Sequence, residues 1–239
     1  MKQQLRSCAC IALLLLAASN PAMADGRVVN KVYHPYVDAL HYELEYRLLA
    51  QDEQSGKQNL AQLQQLSLGR SIGTRFFAEV YLVAAEHRSR GYELAAWETE
   101  LKWQLTEQGE YAVDWGLLLE YEDELNSDAQ ELSFGLLAEK ELGRFSGTAN
   151  LLLVNEWGEH VSNERETTFA TQIRYRHNPA FEPGLEFYAG QNYQGMGPVM
   201  QGSIRTGIRK SLHWELGSIL GLDQDSPSNT WRVLLEYEF

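Results

Sequence analysis

The chain has 239 residues, 44% of them apolar and 22% charged, and its 33 acidic against 20 basic side chains give a formal net charge of −13. This balance excludes disordered, collagen-like and disulfide-scaffold chains, and so negative a surface repels phosphate backbones, so nucleic acid is not an expected partner. The length suits one large domain or two small ones.

Lys2 and Arg6 precede an apolar run at 11–18, Asn20 and Pro21 break it, and Ala22-Met23-Ala24 supplies a small-x-small cleavage pattern. The run is too short to cross a bilayer as a helix, so residues 1–24 are expected to be a signal peptide cleaved after Ala24. Both cysteines, Cys8 and Cys10, leave with it, so the exported domain is held without disulfides. Residues 25–36 are expected to form a periplasmic N-terminal segment, with Tyr33-His34-Pro35-Tyr36 as a tether before the first strand; a lumenal course of 26–36 that blocks the bore stays open as the alternative.

Beyond residue 36 no window of 18 consecutive apolar residues occurs, and a two-residue period takes over. In 40–48 every even position is apolar and every odd one polar; similar runs follow at 76–82, 97–105, 111–121, 132–138, 145–157, 167–175, 185–189, 204–208, 212–220 and 231–239, with a weaker one at 64–70. This alternation predicts twelve strands, each with an apolar and a polar face. Short turns at 71–75, 107–110, 142–144, 178–183 and 209–211 alternate with longer polar loops at 51–58, 86–90, 122–129, 158–163, 192–197 and 222–230, which puts both ends of the sheet on the short-turn side.

A soluble β-sandwich also alternates, and three features argue against it. Aromatics cluster at the ends of the apolar faces: Tyr111 and Tyr121, Phe145 and Trp157, Trp231 and Phe239. A ten-residue interval on a strand tilted by ~40° climbs about 25 Å, the height of the apolar band of a transmembrane barrel. The apolar faces carry almost no charge, and the chain ends on the aromatic pair Tyr237 and Phe239. In these respects the chain resembles bacterial outer-membrane β-barrel proteins, in particular small Gram-negative barrels of the transporter-like type. The resemblance implies an all-β, antiparallel up-and-down transmembrane β-barrel at 37–239, located in the cell outer membrane. It implies delivery by periplasmic chaperones, recognition of the C-terminal strand by the barrel-assembly machinery through Tyr237 and Phe239, and contact with outer-membrane lipid and lipopolysaccharide. Twelve strands close into a cylinder about 24 Å across between backbones, wide enough for a narrow pore or for a filled interior.

With the apolar face toward lipid, the other face lines the lumen. The earlier strands contribute Glu43, Glu45, Glu79, Glu98, Glu100, Asp114, Glu120, Glu131, Glu139 and Glu156 against Arg47 and Lys102. The later ones contribute Arg174, Arg176, Arg205, Arg209 and Arg232 among Glu186, Glu215, Glu236 and Glu238. The expectation is a passive channel for small polar solutes, with an acidic wall (Glu43, Glu45, Glu98, Glu100, Asp114, Glu120) facing a basic one (Arg174, Arg176, Arg205, Arg209). Diffusion porins are similar in setting such clusters across a constriction, where the transverse field orients dipolar solutes. In the competing reading these groups pair across a closed lumen and only stiffen the barrel.

One motif carries a different chemistry. His160-Val161-Ser162-Asn163 resembles the His-x-Ser-Asn stretch of outer-membrane phospholipase A, which implies a lipid-modifying hydrolase using His160 and Ser162, with Gln172 on the next strand as the candidate orienting amide. His41 and His213 fall on the lumen side near the periplasmic end, without the fixed spacing of a metal site; no metal, cofactor or phosphate-binding motif is expected. Acidic loops (Glu122, Asp123, Glu124 and Asp128; Asp223 and Asp225) read as a solvated outer face.

Overall fold

The computed structural model describes residues 28–52, 60–89, 91–161 and 163–239; the expected signal peptide and its cleavage site lie outside them. Twelve antiparallel strands follow one another: β1 (Tyr42–Gln51), β2 (Leu60–Ile72), β3 (Phe76–His87), β4 (Gly91–Gln104), β5 (Asp114–Glu124), β6 (Gln130–Leu142), β7 (Phe145–Trp157), β8 (Glu164–Tyr175), β9 (Glu182–Ala189), β10 (Gln194–Gly207), β11 (Lys210–Gly221) and β12 (Asn229–Glu238). Each pairs with its sequence neighbours, and β1 pairs with β12, so the sheet closes into a barrel. The seam runs from Glu43 opposite Glu238 to Gln51 opposite Thr230. At its end, Tyr42 and Phe239 exchange backbone hydrogen bonds of 2.9 and 3.0 Å.

The alternation sorts the two faces as the sequence predicts. On β1, Leu44 points outward while Glu45, Arg47 and Leu49 are buried inside. On β3, Val80 and Leu82 are more than half exposed, whereas Phe77, Glu79, Tyr81 and Val83 are buried. Apolar residues thus cover the outside all the way round, far more exposed apolar surface than a water-soluble monomer tolerates. Stacked rings rim one end: Tyr42 on Phe239, Tyr237 on Phe239 and Phe76 on Trp103, with Phe145 tilted against Tyr175. This end, where β1 begins and β12 finishes, corresponds to the periplasmic end of outer-membrane barrels.

Three local expectations are corrected. Connections do not alternate strictly: the link from β4 to β5 at the periplasmic end spans 105–113, and the outer links β3–β4 and β9–β10 span only 88–90 and 190–193. Tyr111 consequently lies in a connection, not on a strand, and its spacing to Tyr121 does not measure the apolar belt. The expected outer loop at 192–197 is largely strand, because β10 begins at Gln194 and runs to Gly207. Gly195-Met196-Gly197-Pro198 looks like a turn in sequence, but each feature has a place in the ladder. Pro198 pairs toward β9, and pairing with β11 skips from Met196 to Val199, so the missing N–H falls where that ladder is interrupted. At Gly197 an added Cβ would lie 1.7 Å from the Ser218 carbonyl oxygen, so only glycine permits this approach of β11.

Gly197→Ala is therefore expected to destabilise the barrel by about 1–3 kcal/mol, as overpacking against rigid backbone does. The temperature at which the compact, heat-modifiable band disappears from gels measures it. The control is Gly147→Ala on β7, where a new methyl group meets nothing within 4 Å and the temperature should not move.

Candidate solute pathway

Residues 28–37, expected as a periplasmic segment and tether, instead run lengthwise through the bore. From the periplasmic end, the Val37 amide donates to Gln104 (2.7 Å), the Tyr36 hydroxyl to Asp114 (2.9 Å) and the Tyr33 hydroxyl to Glu120 (2.7 Å). His34 Nδ1 lies 2.5 Å from Glu139, and Tyr33 makes two bonds with the Asn150 amide group through its own backbone. Farther up, the Lys31 ammonium donates to Glu45 (2.7 Å) and the Tyr81 hydroxyl (3.2 Å). Val28 reaches the Gly190 region at the outer end of β9. Val29 and Val32 join an apolar cluster inside the barrel with Leu49, Leu63, Val83, Tyr188 and Ile219. Pro35 fits against Gly116, where a Cβ would stand 3.0 Å away. Among the described residues no backbone ladder joins this segment to a strand; side chains hold it.

Two buried arginines organise the wall beside the seam. Arg232 on β12 donates to Glu186 (2.7 Å), Glu215 (2.9 Å), the Tyr188 hydroxyl and the Asn30 carbonyl (2.8 Å). Arg47 on β1 donates to Glu45, to Gln65 (3.0 Å) and to the Asn30 side chain. Asn30 is thus gripped from both sides, once through its carbonyl and once through its amide.

Away from the seam, the lumen is acidic in a way that only the register exposes. Glu98 faces Glu122, Glu122 faces Glu131, Glu131 faces Glu156 and Glu156 faces Glu164, an unbroken row across β4 to β8. A second row sets Glu79 opposite Glu100 and Glu100 opposite Glu120. Like charges directly across a ladder are destabilising unless other groups compensate them. Among the described residues two cavities lie beside residues 28–37. The outer one, about 130 Å³, is lined by Glu98, Glu120, Glu122, Glu131 and Glu166. The periplasmic-end one, about 290 Å³, is lined by Glu43, Glu79, Glu100, Glu236 and His213 among others. Lys31 and Tyr33 line both, so they form the partition.

The expected acidic group lies inside the barrel, and of the expected basic group Arg174 lines the periplasmic-end cavity with it. Glu45, Glu98, Glu100 and Asp114 are buried inside, and Glu43 and Glu120 line the cavities. Arg174 and Arg176 sit near the periplasmic end, paired with Glu182 (3.3 Å) and Glu141 (2.6 Å) and each 3.8 Å from Glu139. Arg205 is exposed at the end of β10, and Arg209 is exposed in the turn after it with φ 56°, so neither faces the bore. Among the described residues, Arg47, Arg232 and Lys31 are bound inside on the acidic side and along the seam, while Lys102 and Arg174 line the periplasmic-end cavity. Arg47 and Arg232 stand on lumen-facing positions of the alternation and were legible there; Lys31 had no periodic signal.

The hydrolase geometry is also altered. Gln172 is buried in the bore, donating to Glu186 (2.7 Å) and accepting from Gln201 (3.0 Å), so it does not orient His160. His160 is exposed and lies 2.7 Å from Asp128; Ser162 lies outside the described residues. His41 and His213 both line the periplasmic-end cavity, the first 4.0 Å from Glu238 and the second 3.0 Å from Glu215.

Arg232→Met leaves Glu186 and Glu215 buried without their cation, an expected loss of about 3–5 kcal/mol. Denaturant unfolding in detergent checks it, and adding Glu186→Gln to the same chain should recover part of the loss.

No protein-family model matches the chain, and no curated protein matches it. Solved structures do. An outer membrane channel from Pseudomonas putida F1 matches with a TM-score of 0.60 at 12% identity, over 92% of this chain and 99% of that one. The KdgM porin in complex with disordered oligogalacturonate matches with a TM-score of 0.55 at 13% identity, over 82% and 99%. The uncomplexed KdgM porin gives 0.54 at 12% identity, over 82% and 99%. The likeness is one of fold: this chain is a closed twelve-stranded β-barrel of the kind built by small Gram-negative outer-membrane proteins.

Proposed function

We propose that the protein is a passive outer-membrane channel for small polar solutes, with a preference for cations and with residues 28–37 as a removable obstruction. The observation that carries this reading is the pair of cavities within one closed barrel, each with several glutamates in its lining and separated by Lys31 and Tyr33. The register sets carboxylate opposite carboxylate across five strands, which supports the preference for cations. The segment that parts the cavities lacks a backbone ladder, which places its opening at a lower free energy than that of the strands around it. The outer-membrane location belongs to the same reading, as do cleavage after Ala24, delivery by chaperones, assembly through Tyr237 and Phe239, and lipopolysaccharide as a neighbour. The paired backbone bonds of Phe239 at the seam support the assembly role.

The polyanionic sugar named with the KdgM porin does not suit this bore, because rows of glutamate repel carboxylated chains. A small cation or a neutral polar solute does. The hydrolase reading loses its orienting amide, and a porin-like fold favours transport over it.

Planar-bilayer recording of the mature chain tests the proposal. Small, cation-selective steps are expected, growing several-fold when Tyr33→Ala and His34→Ala together loosen the segment. Glu98→Gln with Glu120→Gln should move the reversal potential toward anions, while Arg205→Glu leaves it in place. Silence from folded protein in every variant would sink the channel reading.

A further inference from the structure

The segment in the bore seats one side chain as a solute would be seated. Lys31 Nζ lies 2.7 Å from Glu45 and 3.2 Å from the Tyr81 hydroxyl, which itself donates to Glu79 at 2.7 Å. One aromatic face completes the surround, the Tyr33 ring with its centroid 5.1 Å from the ammonium, while Tyr81 meets it through its hydroxyl. A carboxylate, a hydroxyl acceptor and a π face together are the chemistry that recognises a primary ammonium group. Three of these groups, Glu45, Glu79 and Tyr81, come from the barrel wall and remain if the segment moves. Lys31 itself lines both cavities, so its removal leaves the buried cage facing them, and Glu79 already lines the periplasmic-end one.

Arg47 already satisfies one oxygen of Glu45, and Lys31 binds the other. The wall is therefore one cation short once the segment leaves, and the Glu79–Glu100 and Glu100–Glu120 oppositions sharpen that deficit. Resting on the channel reading above, we infer that the Glu45–Glu79–Tyr81 cage is a binding site for the primary ammonium group of a small organic amine, and that Lys31 is its tethered occupant, competing with the solute. The segment then closes the bore by imitating what passes through it. The cage selects for a primary ammonium through the Glu45 carboxylate and the Tyr81 hydroxyl that Glu79 orients. A neutral polyol has no means of displacing the lysine.

The test compares the full mature chain with its Lys31→Ala variant, using 1,4-diaminobutane as probe and 1,4-butanediol as its uncharged counterpart. Glu45 keeps Arg47 as a partner in the variant, so the barrel is expected to fold. Single-channel currents through Lys31→Ala should be blocked by the diamine at about ten-fold lower concentration than in the unsubstituted chain, the worth of one vacated charge and π contact. The diol should block neither, and Tyr81→Leu in the Lys31→Ala chain should return the block to the weaker value. Equal diamine block with and without Lys31, or equal block by the diol, overturns the cage while leaving the channel in place. If both chains are silent, the channel reading falls and the cage is read by stability instead. A diamine-dependent rise in unfolding temperature that is larger in Lys31→Ala than in the unsubstituted chain then supports the cage, and no difference between them overturns it.

Discussion

Closure of the backbone ladder is the constraint on which the remaining features depend. In lipid an unpaired N–H or C=O costs several kcal/mol, so a sheet can cross only if its last strand returns to its first. Here β12 returns to β1 over nine residue pairs, and the two ends lock through Tyr42 and Phe239. Once the ladder is closed, the outer face has only to be apolar, and hydrophobic packing is no longer needed to hold the strands in order. Polar and charged side chains are consequently free to turn inward, where a soluble protein would place its core.

That inversion makes the interior an electrostatic object. Buried Arg47 and Arg232 flank the seam and each bind several oxygens, so they cross-link β1 and β12 to β2, β9 and β11 from within. Burying charge gives little net stability unless partners are present; Glu186 and Glu215 each find Arg232, and Glu45 finds both Arg47 and Lys31. The register nevertheless sets carboxylate opposite carboxylate both at the seam, Glu43 to Glu238 and Glu45 to Glu236, and on the opposite arc. The two arginines thus tie strands together from within a lumen rich in carboxylates.

The strand count, closure and the sorting of faces were readable because a period of two survives any local detail. Gln194–Gly207 was not readable as a whole strand, since Gly197 and Pro198 mark a turn when local propensity is all there is to consult; the close approach of Ser218 that requires that glycine is a tertiary fact. The lumen-facing residues followed from the same period, whereas which glutamate faces which depends on register, and register is fixed by strand offsets that composition does not encode. Arg205 and Arg209 kept the parity of lumen residues but lay beyond the end of the bore. Parity assigns a side, not a depth.

For residues 28–37 a course through the bore was an open alternative that the period could not decide. An extended chain with no ladder leaves no periodic trace, so Lys31, Tyr33, His34 and Tyr36 look like any polar lead-in to a first strand. Their roles come from long-range partners such as Glu45, Glu120, Asn150 and Glu139, up to 117 residues away. Such contacts close an entropic loop only after the barrel exists, which makes the segment the last element to find its place and the first able to leave it. A channel that must be shut while its barrel stays rigid needs an element with that ranking: held by side chains, threaded through the bore, and independent of the backbone bonds that keep the wall closed.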